Sequence, residues 1–240
     1  MFSKVHSGRH HGAGFVDSLR KSPYFHALIE DIALMLNIAV IGSGRGSNFL
    51  AILTAIDSGR LPGVRIALVL SNNSGAGILE VARSRGLAAV HLSERMFSDE
   101  RAFADSLLET LRRHEANFIA LAGYMKHVPR PVIAAYRNRI VNIHPALLPK
   151  FGGKGMYGIH VHEAVLAAGE RTSGATVHVV DEEYDHGAIV LQHEVPVLAG
   201  DTPESLAARV LEVEHQIYPE VLRLFAAGKV PLPANAALQH

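Results

Sequence analysis

The sequence contains no cysteine. That absence excludes a disulfide framework, a thiolate metal site and a cysteine nucleophile, so reactive chemistry has to come from histidine, carboxylates, hydroxyls or amides. Net charge is missing as well, because lysine plus arginine equals aspartate plus glutamate at 23 each. No overall field draws the chain to nucleic acid or to an anionic membrane, and neither is expected as a partner. Affinity for an anion must therefore be built at one place. No apolar run approaches the roughly 18 residues of a transmembrane helix, and the N-terminus shows no apolar stretch ahead of a small-residue cleavage site. These absences lead us to expect a cytoplasmic protein.

What is present is a chain of 240 residues, 48% of them apolar, which suffices for one large α/β domain. Residues 1–36 read as an N-terminal extension. They open with the polar stretch Ser7 to Gly14, then carry Phe25, Leu28, Ile29, Ile32 and Leu36 at helical spacing, which leaves a dispensable tail or an extra helix as alternatives. From residue 37 to 230, short apolar runs alternate with amphipathic stretches, the pattern of βαβ units. Strands are expected at Asn37 to Ile41, Val64 to Leu70, Ala88 to Leu92, Phe118 to Ala122 and Arg139 to Ile143. Helices are expected between them, the one from Asp99 to His114 being capped by Ser98 and burying Phe103, Leu107, Leu108 and Leu111. Further on, Ala175 to Val180 and Ala188 to Val195 flank the short loop Asp181 to Gly187, which predicts an antiparallel hairpin. A long helix from Pro203, capped by Asp201 or Thr202, closes the domain, and residues 231–240 form a C-terminal tail. The expected fold class is α/β: a Rossmann-like, mostly parallel twisted sheet with helices on both faces and a C-terminal antiparallel addition.

Three segments carry chemistry. The first is Gly42-Ser43-Gly44-Arg45-Gly46-Ser47-Asn48, between the first strand and the first helix, where glycines allow close approach and free amides at a helix start favour a phosphate. A tight turn with no ligand is the plain alternative. The spacing is not that of a dinucleotide fingerprint, since Ser47 stands where the third glycine belongs and the second strand ends at Ser71-Asn72-Asn73 without an acid. No Gly-Lys-Ser/Thr follows, so it is not a P-loop either.

The second segment is Asn142-Ile143-His144-Pro145-Ala146-Leu147-Leu148-Pro149, at a strand's carboxyl end where open α/β sheets place ligands. Alternation puts Asn142 and His144 on one side of the chain, suited to stabilising an oxyanion and moving a proton. A histidine satisfied by backbone is the competing reading, as the chain has 15 histidines. The third segment is His178 to Gly187. Glu182 and Glu183 read as a solvated tip, whereas Asp185, just before the chain turns, can be aimed inward. His178 is open between core residue, substrate contact and histidine network. His160 and His162 fall on different faces of a helix, and no His-Glu-x-x-His spacing occurs, so no metal is expected.

Together, Gly44 to Asn48, Asn142 to Pro149, Val177 to Gly187, Leu121 to Met125 and Glu214 to Pro219 resemble the phosphoribosylglycinamide formyltransferase family, folate-dependent enzymes of purine synthesis. The resemblance runs from about residue 37 to 230. It implies transfer of the formyl group of 10-formyltetrahydrofolate to the amine of 5'-phosphoribosylglycinamide, with no metal, by a monomer or homodimer. It also implies a catalytic set of Asn142, His144 and Asp185, with His144 as a cationic donor, and a nucleotide site at Gly46, Ser47, Asn48 and Glu214. Folate would run past Met125, Lys126, His127 and Val128, with Asn142, Asp181 and Asp185. Lys126 departs from the family's arginine, Glu100 aligns with a folate-contacting arginine while Arg101 lies one place away, and the Phe151 to Ile159 loop is long. The nearest rivals are a 10-formyltetrahydrofolate hydrolase, expected to carry an N-terminal regulatory domain, and a methionyl-tRNA formyltransferase, expected to carry a basic C-terminal one. A non-enzymatic nucleotide-binding module has no use for the catalytic trio.

Overall fold

The computed structural model describes residues 35–230. The expectations for the tail or extra helix at 1–34 and for the tail at 231–240 lie outside the described residues. Seven strands and six helices follow in the order β1 (Leu36–Ile41), α1 (Ser47–Asp57), β2 (Val64–Ser71), α2 (Gly77–Ser84), β3 (Ala89–His91), α3 (Glu100–Arg113), β4 (Phe118–Leu121), α4 (Arg130–Ala135), β5 (Ile140–His144), α5 (Ile159–Ala167), β6 (Thr172–Val179), β7 (Ile189–Pro196) and α6 (Pro203–Ala226). A short 3-10 turn at Glu94–Met96 precedes α3. No helix among the described residues is long and apolar enough to cross a membrane.

The strands form one sheet in the order β3-β2-β1-β4-β5-β6-β7. Pairs from β3 through β5 are parallel, and β5 to β6 and β6 to β7 are antiparallel. The mostly parallel sheet with an antiparallel addition is thus the observed fold. Parallel strands are covered on both faces, which requires apolar residues in both directions. In β1, Ile38 and Val40 enter a cluster with Phe49, Ile52 and Leu222, while Ala39 and Ile41 enter one with Phe103, Leu107 and Leu111. The chain winds outward from β1 to β3 on one side and from β4 to β5 on the other. The reversal point therefore lies between β1 and β4, at whose carboxyl ends such sheets bind ligands.

Local chemistry sets the ends of the elements. The N-cap of α3 is Asp99, whose carboxylate accepts from the Ala102 amide at 2.8 Å, and Ser98, the expected cap, donates instead to that carboxylate at 3.0 Å. An ionised acceptor at a helix start outcompetes a neutral hydroxyl one residue earlier. Thr202 caps α6 in a capping box with Ser205. One turn beyond Glu214, the fully buried Tyr218 hydroxyl bonds to the carbonyls of Leu121 at 2.8 Å and Val141 at 3.2 Å, clipping α6 onto the ends of β4 and β5.

Candidate active site

A cavity of about 610 Å³ opens at the carboxyl ends of β1, β4 and β5. Its size is that of a small-molecule site. Asn142, His144 and Asp185 all line it, as do Ser47, Asn48, Glu214, Met125 to Val128 and Asp181. Gly46 does not. Every other residue singled out for ligand binding is brought to this one place.

Asn142 and His144 project from β5 on the same side, as alternation requires, and the hairpin from β6 returns Asp185 opposite them. His144 is only 3% exposed; its Nε2 donates to the Phe151 carbonyl at 2.8 Å and its Nδ1 lies 3.5 Å from Asp185 Oδ2. Burial lowers the His144 pKa, outweighing the upward pull of the Asp185 carboxylate and the Phe151 carbonyl, with His178 adding a further downward push. Enclosure thus favours the neutral ring over the expected cationic donor; desolvation of a nearly enclosed ring is a tertiary effect that the motif does not reveal. Asp185 holds a positive φ of 55° and accepts the Gly153 amide at 3.0 Å. Burial pushes its carboxyl up, but the adjacent His178 and His144 rings and the Gly153 amide prevail, and its pKa stands below the ordinary value. The aspartate is thus a carboxylate flanked by two imidazole nitrogens at 3.5 Å, Nδ1 of His144 and Nε2 of His178.

At the other end of the cavity, α1 begins with Gly46 as its N-cap, no side-chain cap and no acid in its first turn. Its first amides have no intrahelical acceptor and carry the positive end of the helix dipole, which suits an anion. The glycine at 46 answers to packing as well as to any ligand. Its φ is +84°, and a Cβ there would lie 2.8 Å from the Ile78 side chain. Asn48 Nδ2 donates to Glu214 Oε2 at 2.6 Å, and the Asn48 Oδ1 is buried without a partner. Burial pushes the Glu214 pKa up to about 7, against the Asn48 hydrogen bond.

This gives a test of stability against pH. The raised carboxyl of Glu214 contributes stability fully present below its ordinary 4.5 and lost as pH rises through about 7, on the order of 3 kcal/mol in all. His144, His162 and His215 have lowered values, so their contribution is present above 6.5 and lost as pH falls below it. Between pH 4.5 and 6.5 the two effects therefore oppose each other, and above about 7 neither changes further. The Glu214→Gln variant, with no carboxyl to ionise, should show a steeper rise of denaturant midpoint with pH across that window. An unchanged slope in that variant would refute the buried, protonated carboxyl.

Several expectations are refined. The Asp181 carboxylate is engaged within its own loop, accepting from the Glu183 amide at 2.9 Å and standing 3.0 Å from His186 Nδ1. Val128 is buried in the core beside Val132 and Ile133, so its contribution to the cavity wall is partial. Glu182, expected as solvated, pairs with Arg130 at 3.3 Å while remaining exposed. Arg101 is a solvent-facing partner of Asp105 at 4.0 Å, and neither it nor Glu100 lines the cavity. An adjoining hollow is bordered instead by Arg95 and Lys126. The sequence reading missed His162, whose buried Nδ1 lacks a hydrogen-bond partner and which lines the cavity, and Tyr184, whose ring meets His127 edge-on at 5.1 Å. For His162 the signal was available: with Val161 and Val165 it marks the buried face of α5.

Residues 36–222 match the formyl transferase family. The chain is 45% identical over 193 residues to the chloroplastic phosphoribosylglycinamide formyltransferase of Vigna unguiculata, covering 80% of this chain and 62% of that protein. It is 37% identical over 202 residues to the phosphoribosylglycinamide formyltransferase of Escherichia coli (strain K12), covering 84% and 92%. The chain thus spans about three fifths of its plant relatives, 62% and 63% of the two proteins, but nearly all of the bacterial one. Among solved structures, glycinamide ribonucleotide transformylase 1 from Symbiobacterium toebii superposes with a TM-score of 0.78 at 42% identity, covering 83% of this chain and 92% of that one. A formyltetrahydrofolate deformylase from Pseudomonas syringae superposes with a TM-score of 0.75 at 24% identity, a likeness of fold alone. With the match running across nearly the whole described domain, the chain belongs to the formyl transferase family.

Proposed function

We propose that the chain transfers the formyl group of 10-formyltetrahydrofolate to the amine of 5'-phosphoribosylglycinamide, a step of purine synthesis. The observation that carries this reading is a single cavity with Asn142, His144 and Asp185 at one end and an uncapped helix start beside Asn48 and Glu214 at the other. One end suits acyl transfer and the other an anionic, hydroxyl-bearing nucleotide. The relatives' names point to the same reaction.

In this reading the phosphate of the nucleotide rests on the first amides of α1, at Gly46, Ser47 and Asn48, and Glu214 with Asn48 meets its sugar. The folate lies along Met125, Lys126 and His127, between them and the loop from Asp181 to Asp185. The amine attacks the formyl carbon and charge grows on the formyl oxygen. Asn142 donates to that oxygen in the transition state, a contribution of about 100- to 1000-fold for one such donor. Because His144 is neutral, its bare Nδ1 is free to accept the proton the amine sheds, and the Asp185 carboxylate 3.5 Å away stabilises the imidazolium that forms. The same proton passes from His144 to the departing folate nitrogen as the intermediate collapses, leaving one hydrogen on the new formamide nitrogen and returning the ring to its neutral form. No covalent enzyme intermediate is required.

The test is to incubate purified protein with 10-formyltetrahydrofolate, with and without the nucleotide, and to follow the folate product by absorbance. Product formation that needs the nucleotide is the expected result. Product formation without it would replace this reading with the hydrolase.

A further inference from the structure

We infer that His178 is a positioning residue whose ring decides which atom of the Asn142 amide faces the reacting formyl group. The inference rests on the formyl transfer proposed above. His178 is 2% exposed on β6 and lies directly opposite Asn142 on β5. Its Nδ1 is 3.0 Å from the Val179 carbonyl, and a carbonyl oxygen only accepts, so Nδ1 carries a proton. Its Nε2 is 3.1 Å from Asn142 Nδ2, a donor, so Nε2 is bare and accepts. Asp185 Oδ1 also faces Nε2, but at 3.5 Å, so the nearer Asn142 contact decides the tautomer.

The consequence falls on Asn142. One amide hydrogen goes to His178 Nε2, and the same nitrogen is 3.4 Å from Asp185 Oδ1. Both hydrogens are then spent within the site, and the group left over is the amide carbonyl. A carbonyl repels a developing oxyanion; only the NH2 end stabilises it. The amide has to turn about its last side-chain bond, placing oxygen towards the ring and nitrogen towards the substrate. That turned state is disfavoured while Nε2 is bare, since two lone pairs would meet. It is favoured once Nε2 carries a proton, which donates to the Asn142 oxygen and to Asp185 Oδ1, already 3.5 Å away.

The proton is available from the reaction. A substrate ammonium must lose one proton to become a nucleophile, and Asp185 lies between the two bare ring nitrogens that can receive it, on His144 and His178. Delivery to His178 turns the Asn142 donor to the formyl oxygen at the moment a nucleophile is made. After product release the proton returns to solvent, restoring the resting tautomer. The His178 ring borders the cavity but acts on the reaction through Asn142.

Two measurements test this. Nitrogen NMR of the ring in the whole chain should show His178 protonated at Nδ1 and bare at Nε2, a readout that does not depend on activity. Kinetically, His178→Phe should lower kcat by about 30-fold or more while the KM of both substrates stays within about threefold, the mark of an interaction made only in the transition state. His178→Gln, whose amide presents either a donor or an acceptor to Asn142, should recover kcat to within about tenfold of the wild type. A ring protonated at Nε2, a His178→Phe enzyme with wild-type kcat, or equal losses in both variants with equal falls in thermal midpoint would each overturn the inference. If the wild-type chain transfers no formyl group, the functional reading fails while the NMR still reports the tautomer.

Discussion

Asp185→Asn and His144→Ala are each expected to lower kcat by at least about 100-fold while the thermal midpoint moves by only a few degrees. The two side chains share one task. Asp185 is a carboxylate 3.5 Å from the bare Nδ1 of His144, so a proton arriving there forms an ion pair shielded from water. Replacing Asp185 by asparagine removes the negative charge but leaves an oxygen to accept the Gly153 amide, now at 3.0 Å, which holds the loop in place. Removing the His144 ring removes the proton acceptor itself. Because both changes disable the same event, the double variant should lose far less than the product of the single losses. Measured kcat close to wild type in either single variant would show that the proton travels elsewhere.

Gly46→Val is expected to lower stability by roughly 2–5 kcal/mol, combining a left-handed backbone strained for any β-branched residue with overpacking against a core neighbour. The two causes are a φ of +84° and the 2.8 Å separation of an added Cβ from the Ile78 side chain. Ile78 is fully buried on α2, so it has no room to retreat. For a chain of this length the midpoint should fall by about 10 °C. Affinity for nucleotide and folate should weaken together, whereas a ligand contact alone would weaken only the nucleotide. A variant with an unchanged midpoint and a selective nucleotide defect would show that the glycine is needed for close approach of the phosphate and not for packing.

Much of the fold was legible in the sequence because its signals are local. The alternation of short apolar runs with amphipathic stretches located β1, β2, β4 and β5 to within a residue or two, and the short loop after His178 gave the antiparallel hairpin. Asn142 and His144 were legible as a pair because they sit two residues apart on one strand, whereas their grouping with Asp185 as a catalytic set came from the family resemblance. What stayed hidden depends on distant partners. The motif gives His144 as an imidazole but not its charge, which is set by how completely Phe151, Asp185 and the surrounding core exclude water. The glycine loop suggests a ligand, yet the neighbour that demands glycine at 46 comes from another helix. The resemblance gives Asp181 as a ligand contact, but not that its two oxygens also meet Glu183 and His186 in the loop it begins. The pairing of His178 with Asn142 required knowing the register of β5 against β6.

The most direct test of the central claim follows the formyl carbon itself. With 10-formyltetrahydrofolate carrying a carbon-13 formyl group, the full chain and 5'-phosphoribosylglycinamide, carbon NMR should show the label leaving the folate and appearing as a new formamide on the nucleotide, in step with tetrahydrofolate, and neither change should occur without the nucleotide. Label appearing as free formate, with or without the nucleotide present, would contradict formyl transfer by this chain.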